Sequence, residues 1–280
     1  MEETGTTNIV ELEDISKHFG HVTALNDIDF SLKEGEVHAL AGDNGSGKST
    51  LIKTIVGLHQ PSSGTIYIRG EPTEVKNPKN ARQLGIATVY QDLALVDTMS
   101  VAANVFLGRT PTKRFLGVLP RVDWKQMKER SQEILESRLE LNVDLETDVE
   151  FLSGGERQAV AIARTLVTDP DVVILDEPTA ALSTDSSERV QNLIQTLNDE
   201  GITILVISHS IDEIFDLADR TTVLHNGDMV GTVDTDDAVK DDIVEMMVGG
   251  EMPRRYRKDV ANDAADQSAV QMDDDQEAEA

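Results

Sequence analysis

Val37-His38-Ala39-Leu40-Ala41-Gly42-Asp43-Asn44-Gly45-Ser46-Gly47-Lys48-Ser49-Thr50-Leu51-Ile52-Lys53-Thr54-Ile55 is the stretch from which the fold can be read. It begins as an apolar run suited to a buried strand and ends as a helical pattern that Gly57 stops. Between them Gly42, Asp43, Asn44, Gly45, Ser46, Gly47, Lys48, Ser49 and Thr50 fit G-x-x-x-x-G-K-[ST], the pattern of a loop that cradles phosphate. The glycines let several backbone N–H groups converge on one point, and the helix adds the positive end of its dipole there. Lys48 has the reach to bridge β- and γ-phosphates, and the Ser49 hydroxyl suits Mg2+. A nucleoside triphosphate with Mg2+ is the expected ligand.

Outward from this loop the chain alternates strand and helix. Ile9, Leu12 and Ile15 lie on a short apolar run upstream, and Ile28-Asp29-Phe30-Ser31-Leu32 alternates with period two. Residues 65–68 and 86–90 are strand-like. From Ser100 to Leu141 the pattern turns helical, with Val101, Val105 and Phe106 on one face and Met127, Ile134, Leu135 and Leu139 on another. The alternation then resumes: helix from Gly154 to about Val167, strand 172–175, helix about 186–197, strand 202–207, helix 211–217, and a hairpin turning at Asn226-Gly227. This predicts an α/β fold, a parallel sheet covered on both faces, with residues 92–157 as a helical insertion. The expected division is a core of residues 8–91 and 158–250, the helical subdomain 92–157, and an acidic disordered tail over 251–280.

Two further motifs carry chemistry. Val172-Val173-Ile174-Leu175-Asp176-Glu177 is a strand ending in two carboxylates, closed by Pro178. Period-two geometry sends the pair to opposite faces, giving Asp176 to Mg2+ and leaving Glu177 to polarise an attacking water. Leu152-Ser153-Gly154-Gly155-Glu156-Arg157-Gln158 opens a helix with a Ser cap and two glycines, a second anion-binding N-terminus. One chain with one phosphate loop has no second nucleotide of its own, so Ser153, Gly154 and Gly155 are expected to meet the nucleotide of a partner chain.

With these motifs in this order, residues 8–250 resemble an ABC-type ATPase. The resemblance implies a P-loop NTPase core with a mixed sheet, an N-terminal antiparallel strand region and an inserted α-helical subdomain. It further implies that Gln91 senses Mg2+ and links the core to the helical part. Phe19, 29 residues before Lys48, takes the place of the aromatic that stacks on adenine, where the family more often has Tyr. His209 matches the residue that contacts the γ-phosphate. Ala181-Leu182-Ser183 occupies a loop in which most members carry Asp at the last position, which puts its contacts across a dimer in question. A head-to-tail homodimer sharing two ATP sites follows, working under transmembrane permease subunits and only indirectly with a solute-binding protein.

Within that family, residues 89–96, 101–109, 156–164 and 176–182 are similar to the ATPases of monosaccharide importers of the ribose, xylose and fructose type, in their single-unit branch. The alternatives are an importer for branched-chain amino acids or lipid-type solutes, or an exporter. The span from Ser49 to Leu152 is too short for the coiled coil of a chromosome or DNA-repair ATPase.

Composition narrows the setting. Acidic residues number 52 against 25 basic ones, a formal net charge of −27. The eight acidic residues after Lys258 account for part of this, and setting them aside leaves −19 on the first 258 residues. Such a surface repels phosphate backbones, so no nucleic-acid partner is expected, and it suits a high-salt interior where charge is screened to a few ångströms. No Cys is present, which excludes disulfides and thiolate metal sites. The start lacks the pattern of a signal peptide and no apolar run is long enough to cross a bilayer, so a location at the cytoplasmic face of the membrane, held there by a partner, is expected.

Overall fold

A computed structural model of the chain describes residues 7–115 and 119–256. The part of the expected acidic tail from residue 257 onward lies outside the described residues. Two long strands, β1 (Asn8–Phe19) and β2 (Val22–Lys33), pair antiparallel with Ile15 opposite Ile28. Strand β3 (Val37–Ala41) leads through the glycine loop into helix α1 (Lys48–Ile55), the order that the opening stretch predicts. Strands β4 (Ser63–Ile68) and β5 (Glu71–Pro72) complete a four-stranded antiparallel sheet in the order β2-β1-β4-β5.

Helix α2 (Pro78–Gln83) is capped by the Asn77 side chain and precedes β6 (Ile86–Val89). Then come α3 (Val101–Val105), a hairpin of β7 (Thr112–Phe115) and β8 (Leu119–Val122), and α4 (Trp124–Gln132), which continues as a wider π-type turn over Glu133–Arg138. The hairpin corrects the purely helical expectation for Ser100 to Leu141. Pro111 and Pro120 disfavour a continuous helix there, and the paired strands take up the backbone groups that a helix would have satisfied. Next are α5 (Gly154–Leu166), β9 (Val172–Asp176), α6 (Thr184–Asp199), β10 (Thr203–Ser208), α7 (Ile211–Leu217), the hairpin of β11 (Arg220–His225) and β12 (Asp228–Asp234), and α8 (Lys240–Gly249). The expected subdomain limit at residue 157 falls inside α5.

The main sheet runs β12-β11-β3-β10-β9-β6, parallel except for the terminal hairpin. Its central strands are predominantly apolar because both faces are covered, with His38 of β3 and Thr203 of β10 buried among them. Val172 and Ile174 of β9, with Leu205 and Ile207 of β10, pack into one core beneath the antiparallel sheet and α1. Val173 and Leu175, with Ile204 and Val206, pack into the other, beside Val160 and Ile162 of α5 and Ile194 of α6. Val101, Val105, Phe106, Met127 and Ile134 of the inserted segment join this second core, so the segment is fastened to the sheet through α5. Strand ends β3, β9 and β10 therefore open on the same edge, and that edge holds the candidate site.

Candidate active site

Three glycines shape the loop after β3. Gly42, Gly45 and Gly47 have φ of 149°, 85° and 111°, backbone that an L side chain rarely adopts. At Gly47 a Cβ would also meet the carbonyl oxygen of Ala24 at 2.9 Å. The first bond within α1 is Leu51 N–H to Gly47 O at 2.9 Å, so the amides of Lys48, Ser49 and Thr50 precede the helical ladder. A cavity of about 360 Å³ lies over them, walled by Thr23, Ala24, Gln91, Asp176, Glu177 and the turn Asn226-Gly227 among others.

Lys48 is 6% exposed and donates from Nζ to the carbonyl oxygens of Gly42 at 2.6 Å and Asp43 at 2.9 Å. Burial pulls its pKa below the usual lysine value, and Glu177, Asp43 and Asp176 oppose that shift. Asp176, at the end of β9, has its carboxyl raised, first by burial and then by neighbouring Glu177, with Lys48 and Lys53 pulling the other way. The edge thus concentrates two carboxylates against one ammonium, with an exposed hydroxyl at Ser49 beside them.

Glu177 departs from the strand. Its φ is 51°, in the left-handed region where a non-glycine residue is uncommon and strained. The expected split of Asp176 and Glu177 to opposite faces is therefore corrected: β9 ends at Asp176, the alternation ends with it, and both residues line the same cavity. The Glu177 carboxylate sits between two partners. Gln91 donates from Nε2 to Oε2 at 2.9 Å, and His209 Nδ1 lies 3.2 Å from Oε1. Thus Lys48, Ser49, Gln91, Asp176, Glu177 and His209, scattered over the sequence, come together at one edge.

Ser153, Gly154, Gly155 and Phe19 stand apart from that cavity. Ser153 caps α5 in a reciprocal box with Glu156, whose carboxylate accepts the Ser153 N–H at 2.8 Å. Gly154 and Gly155 pack against their own chain: an added Cβ would meet Leu182 Cδ2 at 2.8 Å and Ser186 Cβ at 3.3 Å. Ser153 and Gly155 border a separate cleft between α5 and α6. Phe19, at the end of β1, is 44% exposed, edge-on to His59 with ring centroids 5.1 Å apart, and Lys17 Nζ lies 5.1 Å from its ring. It lies outside the cavity wall, although Val22, Thr23 and Ala24 of the same hairpin belong to it.

Two features escaped the sequence reading. Asn226-Gly227 reads as a plain turn, yet it closes the cavity, with Gly227 N–H bonded to Ser46 O at 2.9 Å. Arg164 near the end of α5 donates to the carbonyl oxygens of Ala94 at 2.9 Å and of Leu93, gripping the chain just past Gln91. A helical Arg on an amphipathic pattern gives no hint of that reach.

A family model described as ABC transporter matches residues 25–180. A ribose import ATP-binding protein of Streptomyces avermitilis is 41% identical over 256 residues, 91% of this chain and 50% of that protein. A galactofuranose transporter ATP-binding protein of Escherichia coli K12 is 42% identical over 244 residues, 87% of this chain and 48% of that protein. The chain spans about half the length of the curated relatives it matches. Among solved structures, the ADP conformation of an ATP-binding cassette of an ABC transporter superposes with a TM-score of 0.74 at 29% identity, covering 86% of this chain and 95% of that one. A dimeric post-hydrolysis cassette bound to ADP and Pi gives a TM-score of 0.67 at 28% identity, covering 81% and 98%.

Proposed function

This chain belongs to the ABC transporter ATP-binding family, and from that premise we propose that it binds and hydrolyses MgATP as one half of a head-to-tail pair, driving import of a monosaccharide through a membrane permease. The observation that supports hydrolysis most directly is the Glu177 carboxylate, held between Gln91 and His209 on a strained strand end beside Lys48 and Asp176. A residue kept in a sparsely populated conformation needs surroundings that over-determine it, and such residues gather at reacting centres.

In this reading the loop amides and Lys48 hold the phosphates, and Glu177 accepts the proton of the attacking water. His209 contacts the γ-phosphate, and Ser153–Gly155 of the second copy close over it. Phe19 stacks on the adenine once the hairpin and nucleotide meet. Ser49, Asp176 and the carbonyl oxygen of Gln91 form an all-oxygen donor set on one cavity wall, which fits Mg2+. Among the described residues no cluster of three or more His, Cys, Asp or Glu forms a metal cage. When bound, Mg2+ neutralises charge developing on the phosphates.

The second copy is favoured by the separation of Ser153–Gly155 from the chain's own phosphate cavity. The permease is favoured by a cavity of about 720 Å³ next to Gln91, bordered by Arg82, Tyr90, Leu93, Leu107, Arg109 and Arg164, which suits a short helix of a partner. No helix among the described residues is long and apolar enough to cross a membrane, so attachment at the cytoplasmic face would come through that partner. The sugar rests on the relatives, whose names concern ribose and galactofuranose.

Glu177→Gln tests the hydrolytic part. The variant should form an ATP-dependent dimer by light scattering while phosphate release falls by about 100-fold or more; unimpaired turnover would overturn the assignment. For the solute, the chain assembled with its permease should turn over faster with a monosaccharide-loaded binding protein. Stimulation by an amino-acid-loaded one alone would replace sugar with amino acid.

A further inference from the structure

Two Ser-x-x-Glu quartets open helices in this chain, and they behave differently. Ser153-Gly154-Gly155-Glu156 closes on itself: the Glu156 carboxylate returns to the Ser153 N–H at 2.8 Å, the ordinary reciprocal cap. Ser210-Ile211-Asp212-Glu213 has the same spelling, and Glu213 N–H lies 3.4 Å from Ser210 Oγ. The return bond is missing. Ser210 N–H goes instead to Ser208 Oγ at 2.9 Å.

The Glu213 carboxylate is directed elsewhere. Thr179 Oγ1 donates to its Oε1 at 2.7 Å and Ser208 Oγ donates to its Oε2 at 2.5 Å. Glu213 is 4% exposed and makes no ion pair among the described residues. A carboxylate buried without a cation is costly, and a helix cap alone would not require it. What the two hydroxyls share is their position. Thr179 lies two residues after Glu177, and Ser208 immediately precedes His209. One buried carboxylate therefore spans the two loops whose side chains meet at 3.2 Å.

We propose that Glu213 is a positioning residue for ATP hydrolysis, fixing the loop that carries Glu177 against the loop that carries His209. The inference rests on the roles proposed above for those two side chains. Strand β9 hands Glu177 to a strained turn, and strand β10 hands His209 to an exposed loop. Neighbouring strands set the spacing of their ends but not the path of the chain beyond them. Glu213, rooted in α7 with Ile214 buried beside it, supplies that missing constraint. Glu213 itself does not line the phosphate cavity.

The test uses the full chain. Glu213→Ala should lower kcat by about 10- to 100-fold, the scale on which small misplacement of a reacting group is felt. Its KM for ATP and its Kd for a non-hydrolysable ATP analogue should stay within about threefold of wild type, since the loop amides and Lys48 are untouched. Glu213→Gln keeps the length and one carbonyl acceptor and should recover most of kcat. Thr179→Val and Ser208→Ala should each lower kcat, and combining either with Glu213→Ala should cost less than the sum, because all three act through one carboxylate. A folded Glu213→Ala chain with wild-type kcat overturns the proposal, as does a loss of kcat matched by an equal loss of nucleotide affinity. If Glu213→Ala does not fold, the hydroxyl variants decide, and wild-type kcat in both of them overturns it. Wild-type chain that binds ATP but turns over no faster than Glu177→Gln would remove the hydrolytic reading, and this inference with it. Normal hydrolysis that Glu177→Gln abolishes and Glu213→Ala leaves alone removes this inference only.

Discussion

Replacing Gly47 by Ala probes the phosphate loop where its geometry is tightest. Gly47 caps α1 with φ 111° and ψ −9°, so any Cβ there is strained before it meets a neighbour. The neighbours make it worse: Ala24 O at 2.9 Å and Leu25 Cδ2 at 3.1 Å, with Leu25 fully buried in the β2 core. Backbone strain costs about 1–3 kcal/mol and overpacking adds about 1–3 kcal/mol, so a loss near 3 kcal/mol is expected. At about 2–4 °C per kcal/mol for a chain of this size, the melting temperature should fall by roughly 6–12 °C. Gly45 supplies the control, because its φ is 85° but an added Cβ meets nothing within 4 Å. Gly45→Ala therefore carries strain alone, about 1–2 kcal/mol. Calorimetry of both variants without nucleotide isolates the contact with β2 as their difference. Equal melting temperatures, or a Gly47→Ala chain within about 2 °C of wild type, would refute the argument that the β2 hairpin presses on the loop.

Two further outcomes follow from charge at the site and in the core. The Asp176 carboxyl is raised above 3.8 by burial and by Glu177, so the stability it contributes is present below that pH and is lost as pH rises through its folded value. Asp176→Asn should therefore raise the melting temperature of the nucleotide-free chain at neutral pH, by about 0.5–2 kcal/mol in stability, while abolishing Mg2+-dependent protection by ATP; a lower melting temperature would contradict the charge argument. His38 is fully buried, its Nδ1 2.9 Å from Glu36 and its Nε2 2.8 Å from Thr222, and burial lowers its pKa against the opposing pull of Glu36. The unfolded chain takes up that proton first, so this stability is present above pH 6.5 and declines as pH falls below it. Melting curves between pH 7.5 and 5.5 should show the decline, and His38→Gln should flatten it.

Legibility in the sequence followed locality. The loop from Gly42 to Thr50 could be read because strand, glycines and helix act within a few residues of one another. The strand runs 172–175 and 202–207 could be read because burial on both faces leaves them apolar, Thr203 being the one polar residue. The β7–β8 hairpin could not, since its Thr, Lys and Arg carry no apolar alternation and its pairing is set by backbone groups that composition does not report. Glu177 defeated the period-two argument because a positive φ at the strand end turns the chain out of register. Glu213 was hidden by its own pattern: Ser-x-x-Glu before an apolar run reads as a cap, and only the folded arrangement brings Thr179 within reach. The second core of the inserted segment lies between these cases, its faces visible but its partner in α5 not.

Arg164 grips the carbonyls of Leu93 and Ala94 near one end of α5, while Ser153 stands at the other. Eleven residues separate the two, about 16 Å along a helix axis at 1.5 Å per residue. A rod of that length pivoting by about 10° at the grip would carry its far tip about 3 Å, the whole length of a hydrogen bond. In the proposed dimer, leverage of this kind would turn a slight shift of the backbone beside Gln91 into a change in what Ser153 can touch.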